Sequence, residues 1–237
     1  MSDLRQAAAA RLARYLDFAR DRPALFDNAG AAVKILLDPA EIASVERLQF
    51  ERMLAKGFAP DEARARSTVG IVFDDPWLFI VRDAVEFPDG SRRTHTRTLN
   101  YVGDGAAAMP ILDGRIVLTR QFRHAVRGFV LEIPRGGIER GQTAEEAAHA
   151  ELREEIGGVA RALVKLGYLH GSTNLYANGA QLYLAHMERV GAPQLHEGIV
   201  ALEYFSVAEF ERRLLAGDIV DSFTVAAYTH ARLRGLL

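Results

Sequence analysis

Cysteine is absent from all 237 residues, which excludes disulfides and every thiolate nucleophile or metal ligand and leaves the redox setting unread. An excess of charge of either sign is also lacking. The 29 Lys and Arg stand against 31 Asp and Glu, a formal net charge of −2, whereas a general nucleic-acid binder carries a basic surplus. No nucleic-acid partner is therefore expected. Long apolar runs are missing too: nothing approaches the roughly 18 residues of a membrane-spanning helix. The N-terminal MSDLRQAAAARLARYLDFARDRP scatters charges where a signal peptide has an unbroken apolar centre. The expectation is a cytoplasmic protein with no membrane partner. What is present is ordinary for a globular chain, 49% hydrophobic and 25% charged, enough for one generous domain or for a core domain with an added segment.

Periodicity divides the chain. Leu12, Tyr15, Leu16 and Ala19 fall at helical spacing within residues 4–20. After the loop DRPALFDNAG and a short strand in VKILL, Asp38, Pro39 and Glu41 supply an N-cap, a first-turn proline and a reciprocal capping glutamate. That helix is expected to run to about Lys56, with a second short one in AKGFAPDEARAR. From Trp77 the texture turns to strand and turn, with hairpins about Pro88-Asp89-Gly90 and Asp113-Gly114. FVLEIP, LVKLGYLH, AQLYLAHM and VALEYF read as further strands. SVAEFERRLLAG is a capped helix closed by Gly217, and a last helix covers about 222–235. The expected organisation is a mostly helical extension over 1–70 and an α/β body over 71–237. Gly103-Asp104-Gly105 opens a nominal dinucleotide fingerprint, but a strand follows it where a helix is required. The seven histidines lack metal-ligand spacing, and His149 is expected to be exposed.

One stretch stands apart, RGGIERGQTAEEAAHAELREEIGG at 135–158. Thr143 and Glu146 form a capping-box pair, and Gly157-Gly158 mark the helix stop. Ala148, Leu152 and Ile156 make a buried stripe, and Ala147, Glu151 and Glu155 the stripe beside it, with Glu154 adjacent. Three carboxylates gathered there repel one another and oppose the negative end of the helix dipole. A hard divalent cation reverses both penalties, since Mg²⁺ takes oxygen ligands, usually carboxylates together with substrate phosphates. A solvated acidic face is the alternative reading of such a cluster.

This stretch resembles the Nudix box, in which Gly, five residues, Glu, seven residues and then Arg-Glu-hydrophobic-any-Glu-Glu-any-Gly-hydrophobic follow in order. Gly136 and the run Glu151-Leu152-Arg153-Glu154-Glu155-Ile156-Gly157 match in register, whereas Gln142 replaces the first Glu, Ala150 the Arg and Gly158 the last hydrophobic residue. TRQFR followed by LEIPRGG is similar to the VRQYR…ELPAG pattern of ADP-ribose and nucleoside-diphosphate-sugar pyrophosphatases in that family. The likeness covers about residues 77–235 and leaves the first 70 or so unexplained.

The resemblance implies an α/β (α+β) fold, a Nudix-type α/β/α sandwich with a mixed sheet, and hydrolysis of a diphosphate linkage in a nucleoside diphosphate joined to another moiety, a nucleotide sugar or related dinucleotide. Mg²⁺ or Mn²⁺ would be held by Glu151, Glu155 and Glu154, with the backbone carbonyl of Arg135 as a further ligand. Glu155 or Glu197 would take the proton, with Glu203 close to Glu197 in sequence. Arg123 and Glu132 would stand at the substrate, and the Gly136-Gly137 turn would let backbone approach metal and phosphates. HGSTNLYANG lacks the proline that ADP-ribose-specific members often carry after the box, so ADP-ribose specificity is not supported, and Ser172-Thr173-Asn174 reads as a simple turn before it reads as a cluster binding a ligand's polar groups. Related enzymes imply a homodimer, with the N-terminal helices capping the site or extending the interface. The altered positions Gln142 and Ala150 keep a second possibility open, a catalytically weak or inactive Nudix fold that binds a nucleotide-like ligand.

Overall fold

The computed structural model describes residues 2–76, 78–99 and 103–237. Trp77, where the strand texture is expected to begin, and residues 100–102, the end of the expected strand RRTHTRTLNYV, lie outside these. The chain forms two compact units, Met1–Tyr101 and Val102–Leu237.

In the first unit, helices α1 (Ser2–Asp21), α2 (Pro39–Ala55) and α3 (Pro60–Ser67) accompany strands β1 (Lys34–Leu36), β2 (Gly70–Asp74), β3 (Phe79–Glu86) and β4 (Arg92–Leu99). β3 is central: β4 pairs along its whole length, β2 with its first half and β1 with its last three residues, all antiparallel. β2 has no counterpart in the sequence reading. Tyr15, Ala19, Ile42, Val45, Phe79 and Val81 form the core. Within it lies Asp83, only 2% exposed, which accepts from the Tyr15 hydroxyl at 2.5 Å and from Arg97 Nε at 2.7 Å. Burial, reinforced by the Asp83 charge, pushes the Tyr15 phenol far above its ordinary range. Asp38 caps α2 as expected, accepting from the Ala40 and Glu41 amides. Glu41 does not turn back to complete a capping box; its carboxylate pairs with Arg92 at 2.9 Å, a partner 51 positions away.

The second unit is an α/β/α sandwich. Its strands are β5 (Gly105–Leu112), β6 (Arg115–Arg123), β7 (Gly128–Glu132), β8 (Arg135–Gly137), β9 (Val159–His170), β10 (Gly179–Arg189) and β11 (Ile199–Phe205); its helices are α4 (Ala144–Ile156), α5 (Val207–Leu215) and α6 (Ser222–Leu233). The sheet order is β11-β6-β5-β10-β9, with β7 added to β6 and β8 to β5. β5 and β10 run parallel and the other pairs antiparallel, a mixed sheet. The β5–β6 turn uses Asp113 (φ 49°) and Gly114 (φ 74°), both left-handed, as a two-residue hairpin of type I′ requires.

Strand alternation decides which layer each residue joins. Ala106, Ala108, Tyr183, Ala185 and Met187 pack with Ala147, Ala148, Leu152 and Ile156 of α4. Their neighbours Ala107, Met109, Leu182 and Leu184 pack on the other face with Phe210 of α5 and Ala227, Tyr228 and Ala231 of α6. Alanine meets alanine across the α4 interface, so that helix lies close on the central strands. Its N-terminus carries the full capping box of Thr143 and Glu146, and Gly157 (φ 58°) ends it in the left-handed conformation. Leu152 is fully buried at the middle of this contact. Leu152→Ala is expected to destabilise the chain by about 2–5 kcal/mol, read as a lower urea midpoint.

Candidate active site

The site is built on the second half of α4, where helical spacing sets Glu151 and Glu155 one turn apart. Ala148, Leu152 and Ile156 bury the helix against the sheet, and this rotation draws Glu155 inward to 3% exposure. Glu151 is half-buried and Glu154 exposed. Opposite them runs the segment from the end of β7 into β8. The Arg135 amide faces Glu155 Oε1 at 3.5 Å. At Gly136 a Cβ would overlap the Glu151 carboxylate, so the absent side chain leaves a hollow that the carboxylate occupies. β8 itself lies tight on β5, since a Cβ on Gly105 would come within 2.7 Å of the Gly136 carbonyl oxygen.

Glu197 reaches the same place from 42 residues beyond Glu155 in the sequence. The loop that bears it hangs on the last carbonyls of α4: Gly191 N–H donates to Ile156 O at 2.9 Å and Gln194 N–H to Glu155 O at 3.0 Å. These bonds satisfy acceptors that a helix end leaves open. Buried Gln121 completes the anchorage by donating from Nε2 to the Glu197 carbonyl at 2.8 Å. Glu197 keeps a partly exposed carboxylate whose charge is felt at both box glutamates. Glu203, its neighbour in the sequence reading, is placed otherwise. It pairs in register with Leu118 on the α5–α6 side of the sheet and binds Arg120 at 2.6 Å.

Burial first, and then the repulsion of neighbouring carboxylates, holds protons on these acids. Glu151 is raised to about 7, with Glu154, Glu197 and Glu139 adding to the effect of burial. Glu155 is raised to about 8 by burial and by Glu151 and Glu197, against the pull of the Arg135 amide and the Arg123 charge. Among the described residues no group of three or more His, Asp or Glu side chains is gathered closely enough to hold a metal as the side chains stand. The donor chemistry nevertheless fits a hard cation: two crowded carboxylates of raised pKa beside a glycine hollow are a place where added positive charge lowers the energy.

The remaining expected residues form an adjoining cluster. Glu132, 1% exposed, accepts from Arg123 Nε at 2.6 Å through one oxygen and from Arg135 Nη2 at 2.7 Å through the other. Arg123 and Arg135 retain partial exposure beside it. Gly137 is exposed on β8. Ser172 accepts from the Leu175 and Tyr176 amides in a turn. His149 is partly buried and, with Glu139, Arg140, Gln142, Glu146 and Arg153, lines an open depression of about 580 Å³. None of the three box glutamates lines it. Gln142 closes the loop before α4 without a charge, its Oε1 accepting from the Glu139 amide at 3.1 Å while its own amide donates to Glu139 O at 3.0 Å.

Several residues of this neighbourhood escaped the sequence reading. Gln121 lies inside the quoted TRQFR, but nothing local shows that it holds Glu197. Asp221, Phe223 and Thr224, at the start of α6, meet the Ile133–Arg135 segment. Their one local signal is the capping pattern of an Asp with a Thr three positions on.

The NUDIX domain family model matches residues 103–223. An ADP-ribose pyrophosphatase of Mycobacterium tuberculosis is 31% identical over 151 residues, covering 61% of this chain and 72% of that one. The ADP compounds hydrolase NudE of Escherichia coli is 28% identical over 109 residues, 46% of this chain and 59% of its own. A crystal structure of an ADP compounds hydrolase superposes with a TM-score of 0.63 at 22% identity, over 71% of this chain and 92% of that one. It shares the fold.

The raised acids couple stability to pH. Between the ordinary carboxylate value of 4.5 and the raised values near 7 and 8, the folded chain holds protons that the unfolded chain has released. Stability present at low pH is therefore lost as pH rises through this window. In EDTA, Tm is expected to fall from pH 5 to pH 8.5, by about 2–4 °C for each kcal/mol lost. Mg²⁺ should restore it at pH 8.5 and do little at pH 5, and the slope should flatten in an E151Q/E155Q variant. Differential scanning calorimetry reads all three.

Proposed function

The chain belongs to the Nudix family, and from that premise we propose that it hydrolyses a diphosphate linkage in a nucleoside diphosphate joined to another moiety, with Mg²⁺ or Mn²⁺ as cofactor. The observation that carries this reading is the pair Glu151 and Glu155 on one face of α4 beside the Gly136 hollow, with the Glu197 charge felt at both and with Arg123 and Arg135 bound to Glu132 alongside. When bound, the cation supplies positive charge against the diphosphate and acidifies water. Glu151 and Glu155 are the residues to hold it, with Glu154 and the Arg135 carbonyl as further ligands.

The chain's own groups supply the rest. Glu197, partly exposed and fixed through its backbone by Gln121, is the proton acceptor with freedom to reach a water, and Glu155 is the alternative acceptor. Arg123, held at Nε by Glu132 and partly exposed, offers its guanidinium to phosphate oxygens. Gly136 and Gly137 keep that approach free of side chains. The substrate proposed is an ADP-linked sugar or related dinucleotide, supported by the names of the relatives and by the TRQFR…LEIPRGG likeness. The homodimer that the resemblance implies and the cytoplasmic setting expected from the sequence belong to this proposal. Among the described residues no helix is long and apolar enough to cross a membrane.

The reading of a ligand-binding fold with little turnover rests on Gln142 and Ala150. The loop closure that Gln142 makes with Glu139 favours the enzyme, because the 139–142 turn between β8 and α4 is closed without the missing charge pair.

A panel of ADP-sugars, UDP-sugars, ADP-ribose and dinucleotides, assayed with Mg²⁺ and with Mn²⁺, tests the proposal through phosphate-ester products resolved by ion-exchange chromatography. At least one compound should be cleaved, and E155Q, which removes a cation-holding carboxylate that is also the alternative proton acceptor, should lower kcat by about 10²–10⁴-fold. Turnover no faster than that of E155Q on every compound defeats the enzyme reading. Gly136→Ala should leave the fold intact and displace the Glu151 carboxylate, weakening Mn²⁺ binding by about 10-fold or more, as read by titration calorimetry.

A further inference from the structure

Asp221 uses its two carboxylate oxygens for different tasks. Oδ2 caps α6, accepting from the Thr224 amide at 2.9 Å and from the Thr224 hydroxyl at 2.8 Å. Capping needs no more than that. Oδ1 instead faces Arg135 Nη2 at 3.1 Å, and the Asp221 side chain is 8% exposed. Two neighbours grip the same segment: Phe223 lies under the Arg135 guanidinium at 4.9 Å, and Thr224 Oγ1 accepts from the Ile133 amide at 3.0 Å. The start of α6 thus holds both ends of Ile133–Pro134–Arg135, whose far side presents the Arg135 amide to Glu155.

Charge gives the contact a second consequence. Arg123 and Arg135 both bind Glu132, so those three groups alone carry a formal excess of one positive charge. Asp221 brings the cluster to zero. This matters because the Arg123 charge is felt at Glu155, and an uncompensated guanidinium beside the acids opposes uptake of a cation. Resting on the reading of Glu151 and Glu155 as the cation-holding carboxylates, we propose that Asp221 is a positioning residue. Through Arg135 it holds the Pro134–Gly136 backbone against Glu155 and neutralises the guanidinium pair, and so sets the affinity of the site for a divalent cation.

The test is a double-mutant cycle of D221N and R135A on the full chain, read by Mn²⁺ binding from the electron-spin resonance of the free ion and by Tm in EDTA. Asparagine still caps α6, so the Tm of metal-free D221N should stay within about 4 °C of wild type. Its Mn²⁺ dissociation constant should rise by about 10- to 100-fold, the scale on which groups behind the ligands act. In the R135A background D221N should cost clearly less, because the positioning path runs through Arg135 and only the loss of the Asp221 charge remains. D221E, which keeps the charge, should recover most of the affinity. Unchanged Mn²⁺ binding in D221N, or an equal loss with and without Arg135, overturns the inference and leaves the proposed function standing. A wild-type chain that takes up no Mn²⁺ removes both.

Discussion

The placement of Glu155 is the constraint on which the site depends. Its carboxylate is pressed between the sheet-facing side of α4 and the backbone entering β8, where water cannot screen it and where Glu151 and Glu197 oppose its charge. A lone buried carboxylate in such surroundings takes up a proton. The chain keeps this group in an unfavourable setting by anchoring everything about it. Alanine-on-alanine packing fixes the depth of α4, Gly157 ends it, and the loop bearing Glu197 is tied to its last carbonyls. Rigidly held acids with raised pKa values are the ground on which the proposed cation site rests.

Beside this acidic pocket stands its electrostatic complement. Glu132 is buried with both oxygens engaged by arginines, an arrangement in which removing one partner costs far more than the pair contributes. It holds two guanidiniums at the edge of the acidic site without letting them neutralise it. On the proposed reading, the acids would take a cation on one side and the partly exposed arginines phosphates on the other, a division of labour suited to a diphosphate. The first unit has its own buried charge network in Tyr15, Asp83 and Arg97, in which Asp83, too deeply buried to stand alone, is satisfied by hydroxyl and guanidinium.

Much of the fold was legible because it is written in short-range periodicity. The 3.6-residue stripe of Ala148, Leu152 and Ile156, the alternation along 179–189 and the Asp113-Gly114 turn each reflect forces acting within a few residues. The structure departs where a distant partner outbid the local one. Glu41 leaves its own helix end for Arg92, because a charge-assisted bond to a guanidinium competes with a backbone amide. Strand β2 was missed since GIVFD is too short to show a period by itself and gains its identity from pairing with β3. Glu197 and Glu203 were indistinguishable in sequence. A register shift in the β11–β6 pairing and the alternation of the strand send Glu203 to Arg120 on the opposite face.

By itself the sequence determined the helix that bears Glu151, Glu154 and Glu155, its capped start, its glycine stop and the glycine turn before it. Helix geometry then required Glu151 and Glu155 to share a face. Tertiary structure alone decided how deeply that face was buried, and so how far the acids were raised. It also decided that Glu197 would join them, that Glu132 would be enclosed by Arg123 and Arg135, and that Asp221, 86 positions after Arg135, would balance the pair. The physical reason is one of range. Backbone dihedrals and hydrogen-bond spacing act between near neighbours, whereas desolvation and Coulomb forces depend on what the folded chain brings alongside.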